Sequence, residues 1–153
     1  DTWEWNGLRW QQRMPAHAPS IRFGAAMAWD PSRNKVLLFG GTEQYFVGAS
    51  ATWEADGNDW VRRTFPTAPP PRYVTSLTWD PVRSVFVVIA GSAYDPLDDI
   101  WELGPSGWSL RGRTPQRMQS HGAVWDPLAV FLLLAHDRLD LVLGRREVID
   151  VDH

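Results

Sequence analysis

Apolar positions fall in short runs, and the runs recur. Residues 22–29 (RFGAAMAW) and 35–39 (KVLLF) are of strand length and are separated by Asp30-Pro31-Ser32-Arg33-Asn34. Proline presets a turn dihedral, and an aspartate carboxylate accepts from backbone amides just ahead of it, so this segment predicts a tight hairpin turn. The second run stops at Gly40-Gly41, where the backbone must bend. Val85-Phe86-Val87-Val88-Ile89-Ala90-Gly91 and Val130-Phe131-Leu132-Leu133-Leu134-Ala135-His136 repeat it. Near-continuous apolar runs predict strands covered on both faces. No segment carries a helical period of useful length, so the expected class is all-β.

Tryptophan sets the register. Trp3, Trp53 and Trp101 recur at intervals of 50 and 48 residues, and each is followed seven residues later by another, Trp10, Trp60 and Trp108. A third set lies in Trp29-Asp30-Pro31, Trp79-Asp80-Pro81 and Trp125-Asp126-Pro127. These sets absorb nine of the ten tryptophans and leave only Trp5. A period near 50 with such regularity marks a repeat architecture. Each unit reads as four short strands, a to d: a before Asp-Pro, b the apolar run after it, c and d the two Trp-bearing segments. The chain divides into c and d of one unit (2–12, a partial blade), a unit over 13–64, a unit over 65–112, and a partial, degenerate unit over 113–153. In the last, Ile149-Asp150 is the expected third strand. Pro15–Pro19, Pro66–Pro71 and Thr114–Arg117 link the units, and their prolines predict stiff connectors that do not extend a sheet.

A four-stranded unit of this length with Gly-Gly after its second strand resembles the kelch repeat of β-propellers. The residues carrying the likeness are Gly40-Gly41, the third-strand Trp53 and Trp101, and the fourth-strand Trp60 and Trp108. The Thr-Trp-Glu and Trp-Asp-Pro segments are similar to the bacterial kelch variety, related to the galactose oxidase central domain. The doublet weakens to Ala90-Gly91 and then to Ala135-His136. The resemblance implies a partial propeller of four-stranded antiparallel blades, a single segment over 1–153. Closed propellers use about 4–8 blades, so roughly three form an arc. The arc is expected to be part of a longer propeller, with two alternatives. Two copies can associate into one ring, or the N-terminal c and d strands can complete the last blade.

Composition narrows the partners. The net charge is −3, with no basic block, which speaks against nucleic acid and anionic membranes. No apolar run is long enough to span a bilayer as a helix. The chain has no cysteine, which removes thiolate metal sites, a cysteine nucleophile and the crosslinked cysteine that a galactose-oxidase copper site requires. His17, His121, His136 and His153 show no metal-ligand spacing. No catalytic residue, metal site or cofactor is expected. Composition leaves the compartment open, with a secreted or cell-envelope bacterial protein slightly favoured.

The repeated tryptophans and the Asp-Pro aspartates read as packing and turn residues, because a site-specific role does not recur in every unit. In an antiparallel a–b hairpin the start of a and the end of b share an edge, so the d–a links and b–c segments share one face. Binding specificity on repeat scaffolds sits in such variable segments. Candidate ligand contacts there are Arg22 and Arg72, which open strand a, and Gln44, Tyr45, Tyr94 and Asp95 in the b–c segments. The competing reading of the arginines is that they bond neighbouring-blade carbonyls. The favoured function is a non-enzymatic binding scaffold for a protein or peptide. The alternative is a carbohydrate-binding or carbohydrate-processing propeller, mutarotase-like or oxidase-like.

Overall fold

A computed structural model describes residues 1–43, 48–126, 131–135 and 142–143. Among the described residues there are fourteen strands and no helix. They are β1 (Thr2–Trp5), β2 (Trp10–Arg13), β3 (Phe23–Asp30), β4 (Lys35–Thr42), β5 (Thr52–Ala55), β6 (Trp60–Arg63) and β7 (Ser76–Asp80). Then follow β8 (Val85–Ile89), β9 (Ser92–Ala93), β10 (Asp95–Gly104), β11 (Gly107–Met118), β12 (Gly122–Asp126), β13 (Phe131–Ala135) and β14 (Val142–Leu143). Every pairing is antiparallel, and spatial order follows chain order: β1-β2, then β3-β4-β5-β6, then β7-β8-β10-β11 with β9 on β10, then β12-β13-β14. The chain is all-β, built from four-stranded antiparallel meanders that repeat at the expected period, consistent with the blades of a partial propeller.

The local reasons match the sequence reading. Asp30 Oδ1 accepts from the amides of Ser32 (2.9 Å) and Arg33 (3.3 Å), and Asp80 Oδ1 from those of Val82 (2.9 Å) and Arg83 (3.0 Å). The a–b turns of the two complete blades close through a left-handed residue, Asn34 or Ser84, both at φ 54°. Two of the three c–d turns use the same device: Asn6 and Asp56 each accept two amides ahead of them, whereas the third has Gly104 there.

The core lies between the two complete blades. Leu37 and Phe39 of β4 meet Leu77, Phe86, Val88, Leu103 and Trp108 of the next blade. Trp108 packs on Phe39 with ring centroids 5.1 Å apart, and its indole N–H donates to Thr52 Oγ1 at 3.2 Å. One blade earlier Trp60 donates to Thr2 Oγ1 at 3.1 Å. The fourth-strand tryptophan is thus the clamp from each blade to the one before it. The first strands of successive units are stitched by Val74 N–H to the Gly24 carbonyl (2.7 Å) and Ser120 N–H to the Val74 carbonyl (3.1 Å).

The glycine doublet has a cause outside its own blade. Gly41 N–H donates to the Arg72 carbonyl at 2.9 Å, and a Cβ on Gly40 would lie 2.7 Å from that carbonyl oxygen. Ala90 takes the Gly40 position in the second blade at φ 45°, which a side chain tolerates at a cost.

Two expectations fail. Thr114-Pro115-Gln116-Arg117 is no separate connector but lies inside β11. Pairing jumps from Asp99↔Arg113 to Leu97↔Met118, so Pro115 sits in a bulge where no ladder amide is needed. Residues 92–99 form no open loop: β9 turns tightly into β10 through Tyr94 at φ 84°. In the last sheet β14 pairs with β13; Ile149-Asp150, the expected third strand of that unit, lies outside the described residues.

Candidate functional site

The face shared by the d–a links and the b–c segments is assembled around the arginines that open strand a. Arg72 ties two blades with its main chain. Its N–H donates to the Ala49 carbonyl at 3.1 Å, and its carbonyl accepts from Gly41. Gly48 has no room for a Cβ, which would meet Arg72 N at 2.5 Å. The side chain returns to its own blade. Nε donates to the Pro70 carbonyl (3.1 Å) and Nη1 to the Ala90 carbonyl (3.0 Å), while both Nη atoms grip Asp99 at 2.6 and 2.7 Å. Trp101 Nε1 donates to the same carboxylate at 2.7 Å. Burial alone pushes the Asp99 carboxyl up, but Arg72 and Trp101 hold it below its ordinary value.

Arg72 was expected as a ligand contact, and it is not placed to be one. It is fully buried and its guanidinium is committed to Asp99 and two carbonyls. The expected alternative, bonding to carbonyls, holds with one change: the carbonyls belong to the arginine's own blade.

Arg22 repeats the geometry in the first blade. Nε donates to the Ser20 carbonyl (3.1 Å) and Nη1 to the Gly40 carbonyl (3.0 Å). Its carboxylate partner differs. Nη2 meets Ser20 Oγ at 2.8 Å and Glu43 only at 3.5 Å. Burial pushes the Arg22 guanidinium below its ordinary value; Glu43 pulls it back up, and Arg62 lowers it further. In the third unit the position belongs to Met118, whose carbonyl accepts from Gly91 as that of Arg72 does from Gly41. Arg117, one residue away, is exposed and bonds the Pro96 carbonyl.

Tyr94 is exposed on the turn between β9 and β10, and Asp95 is exposed at the start of β10. Both stand on this face without forming a cluster with Arg22. Gln44 and Tyr45 lie outside the described residues. Asp98 and Asp99 are taken by Arg113 and Arg72, which leaves neither carboxylate uncommitted for a cation. Among the described residues no group of three or more metal-ligating side chains converges, and none of their helices could cross a membrane.

The opposite edge carries a network the sequence reading missed. Arg33 bridges Asp30 (2.5 Å) and Glu54 (3.0 Å), and Arg63 holds the other Glu54 oxygen at 2.7 Å. Arg83 bridges Asp80 and Glu102 in the same way, with Arg111 at 2.8 Å from Glu102. Arg13 and Glu4 repeat its last link at 2.7 Å. Burial pushes Glu54 up, but Arg63, Arg33 and Lys35 leave it below its ordinary value. The signal was present as Arg33 and Arg83, three residues after Asp30 and Asp80.

Between β1–β2 and the first blade lies a cleft of about 800 Å³, lined among others by Trp3, Arg22, Met27, Trp29, Leu38 and Trp60.

No protein-family model matches the chain, and no curated protein matches it. Among solved structures, that of YjhT aligns with a TM-score of 0.66 at 15% identity, over 88% of this chain and 44% of that one. At that identity the likeness is one of fold. The chain spans less than half the length of that structure.

Proposed function

We propose that the chain is a kelch-type propeller segment that works as a non-enzymatic binding scaffold, with a protein or peptide partner. The reading rests on an asymmetry between the two edges. The edge with the Asp-Pro turns repeats the four-residue core of its ion network in both complete blades, Lys35 of the first blade being the one addition. The edge with the d–a links and b–c segments does not: Asp99 and Leu110 of the second blade correspond to Ala51 and Arg62 of the first, and the b–c segment closed by the Thr42↔Gly48 bridge is longer in sequence than its counterpart closed by Ser92↔Pro96. A constant edge builds blades, and a variable edge supplies specificity.

The test is binding of a peptide library and a glycan array to the same 153-residue chain. Peptide binding that weakens about tenfold on Tyr94→Ala or Arg62→Glu, with no change on Arg33→Gln in the Asp-Pro turn of the opposite edge, supports the reading. Reproducible glycan binding lost on Tyr45→Ala would replace it with the carbohydrate alternative.

A further inference from the structure

The two complete blades hold the same arginine in the same cradle but differ in what neutralises it. In the second blade the Asp99 carboxylate takes both Arg72 Nη atoms and the Trp101 indole N–H. In the first blade Arg22 keeps both carbonyl contacts, Trp53 stands at the Trp101 position, and Ala51 replaces Asp99. The consequence is visible on both sides of the missing group. Trp53 Nε1 is buried with no hydrogen-bond partner, whereas that of Trp101 is satisfied. An unsatisfied buried N–H costs about 1–3 kcal/mol and needs an explanation. The Arg22 side chain is only 7% exposed, yet among the described residues the carboxylate paired with it is Glu43, at 3.5 Å and half exposed.

Charge changes in the same direction across the sheet. Arg62, directly opposite Trp53 in the β5–β6 ladder, stands where the second blade has Leu110. Arg62 is exposed and makes no hydrogen bond or ion pair among the described residues. One carboxylate has been removed and one guanidinium added, which leaves the corner with two cations and a distant glutamate.

We infer that the corner framed by Arg22, Ala51 and Trp53 is a carboxylate-binding site, taking from outside the group that Asp99 provides from within the second blade. The ligand class is a monocarboxylate, gripped by the Arg22 guanidinium and the Trp53 N–H and drawn in by Arg62. Its source is a free small acid or the terminal carboxylate of a peptide. Glu43, on the b–c segment, is the internal competitor that the ligand displaces from Arg22. The inference deepens the loop-face reading and rests on it only for the peptide source.

The experiment follows the Trp53 indole resonance in ¹H–¹⁵N spectra of the full chain, assigned with Trp53→Phe, during titration with sodium acetate against sodium chloride at matched ionic strength. A saturable shift of that resonance is expected with acetate alone. Arg22→Gln should weaken it about tenfold or more, and Glu43→Gln should tighten it. Ala51→Asp supplies the group internally: it should move the resonance to its bound position without ligand and abolish the titration. No saturable shift in the wild type and in Glu43→Gln overturns the inference. So does a shift that survives Ala51→Asp when that variant retains its dispersed spectrum. A tetrapeptide with a free C-terminus, compared with its amidated form, separates the sources. Preference of about tenfold over acetate assigns the site to peptide termini; parity assigns it to small acids. Acetate binding with no peptide binding keeps the carboxylate site and removes the protein-partner reading. Peptide binding indifferent to Arg22, Ala51 and Trp53 does the reverse.

Discussion

Arg72 and Arg22 show how much the role of a residue depends on what faces it. A guanidinium removed from water is tolerated when its donors are met and its charge is paired. Arg72 meets both conditions through Asp99, so Arg72→Leu strands a buried carboxylate. The expected loss is about 3–5 kcal/mol in urea unfolding, against a markedly smaller loss for Arg22→Leu, whose carboxylate neighbour is already solvated. Equal losses would show that the bidentate pair adds nothing. The same pair sets a pH dependence. The folded-state carboxyl of Asp99 is depressed, so its stabilisation is complete above the unfolded value near ~4 and is lost as pH falls through the folded value. The urea midpoint should hold from neutrality down to about pH 5 and then fall, and fall less steeply in Asp99→Asn; identical acid limbs would refute the assignment. The arginines were legible in the sequence because they recur in register. Their partner was not, since Asp99 lies 27 residues beyond Arg72 and meets it only after β7, β8 and β10 have paired.

At the scale of the strand, position in a repeat and burial come apart. Trp10, Trp60 and Trp108 hold the same place in strand d, yet Trp108 is 5% exposed, Trp60 8% and Trp10 63%. Burial, not register, decides the energetic weight. Trp108→Ala should cost about 3–5 kcal/mol, Trp60→Ala a comparable or somewhat smaller amount, and Trp10→Ala below about 1 kcal/mol. Thermal or urea unfolding of the three variants checks the order; a Trp10→Ala loss matching that of Trp108→Ala would mean that β1–β2 is covered in solution. Strand existence was readable because apolar runs and Asp-Pro turns are local signals. The bulged course of β11 was not, because proline punctuates most links and only the pairing of Leu97 with Met118 draws Pro115 into the sheet. The same bulge moves Met118 into the arginine position and leaves Arg117 outside, an offset that no fixed period reveals.

For the molecule as a whole, one blade surface decides behaviour. Each complete blade presents a face toward the preceding unit. In the second blade that face is closed: Leu77 is 7% and Phe86 1% exposed against the first blade. In the first blade, among the described residues, the equivalent face meets the two strands β1 and β2, and Met27 is 61% and Trp29 48% exposed beside the cleft that Trp3 also lines. The inner edge of β1, which in a complete blade pairs with strand b, has no partner among the described strands. A contiguous apolar surface with an unpaired strand edge promotes association. The 153-residue chain by itself is therefore expected to associate with increasing concentration in sedimentation velocity, and Met27→Glu with Trp29→Glu should return it to monomer while the far-ultraviolet circular dichroism is unchanged. The charges act because the face is solvated in the monomer and desolvated in the complex. A wild-type chain that stays monomeric over the whole accessible concentration range would show that the face is already covered within one copy, as it would be if β12 and β13 reached round to β1. A double variant that associates as the wild type does would place the contact elsewhere on the chain.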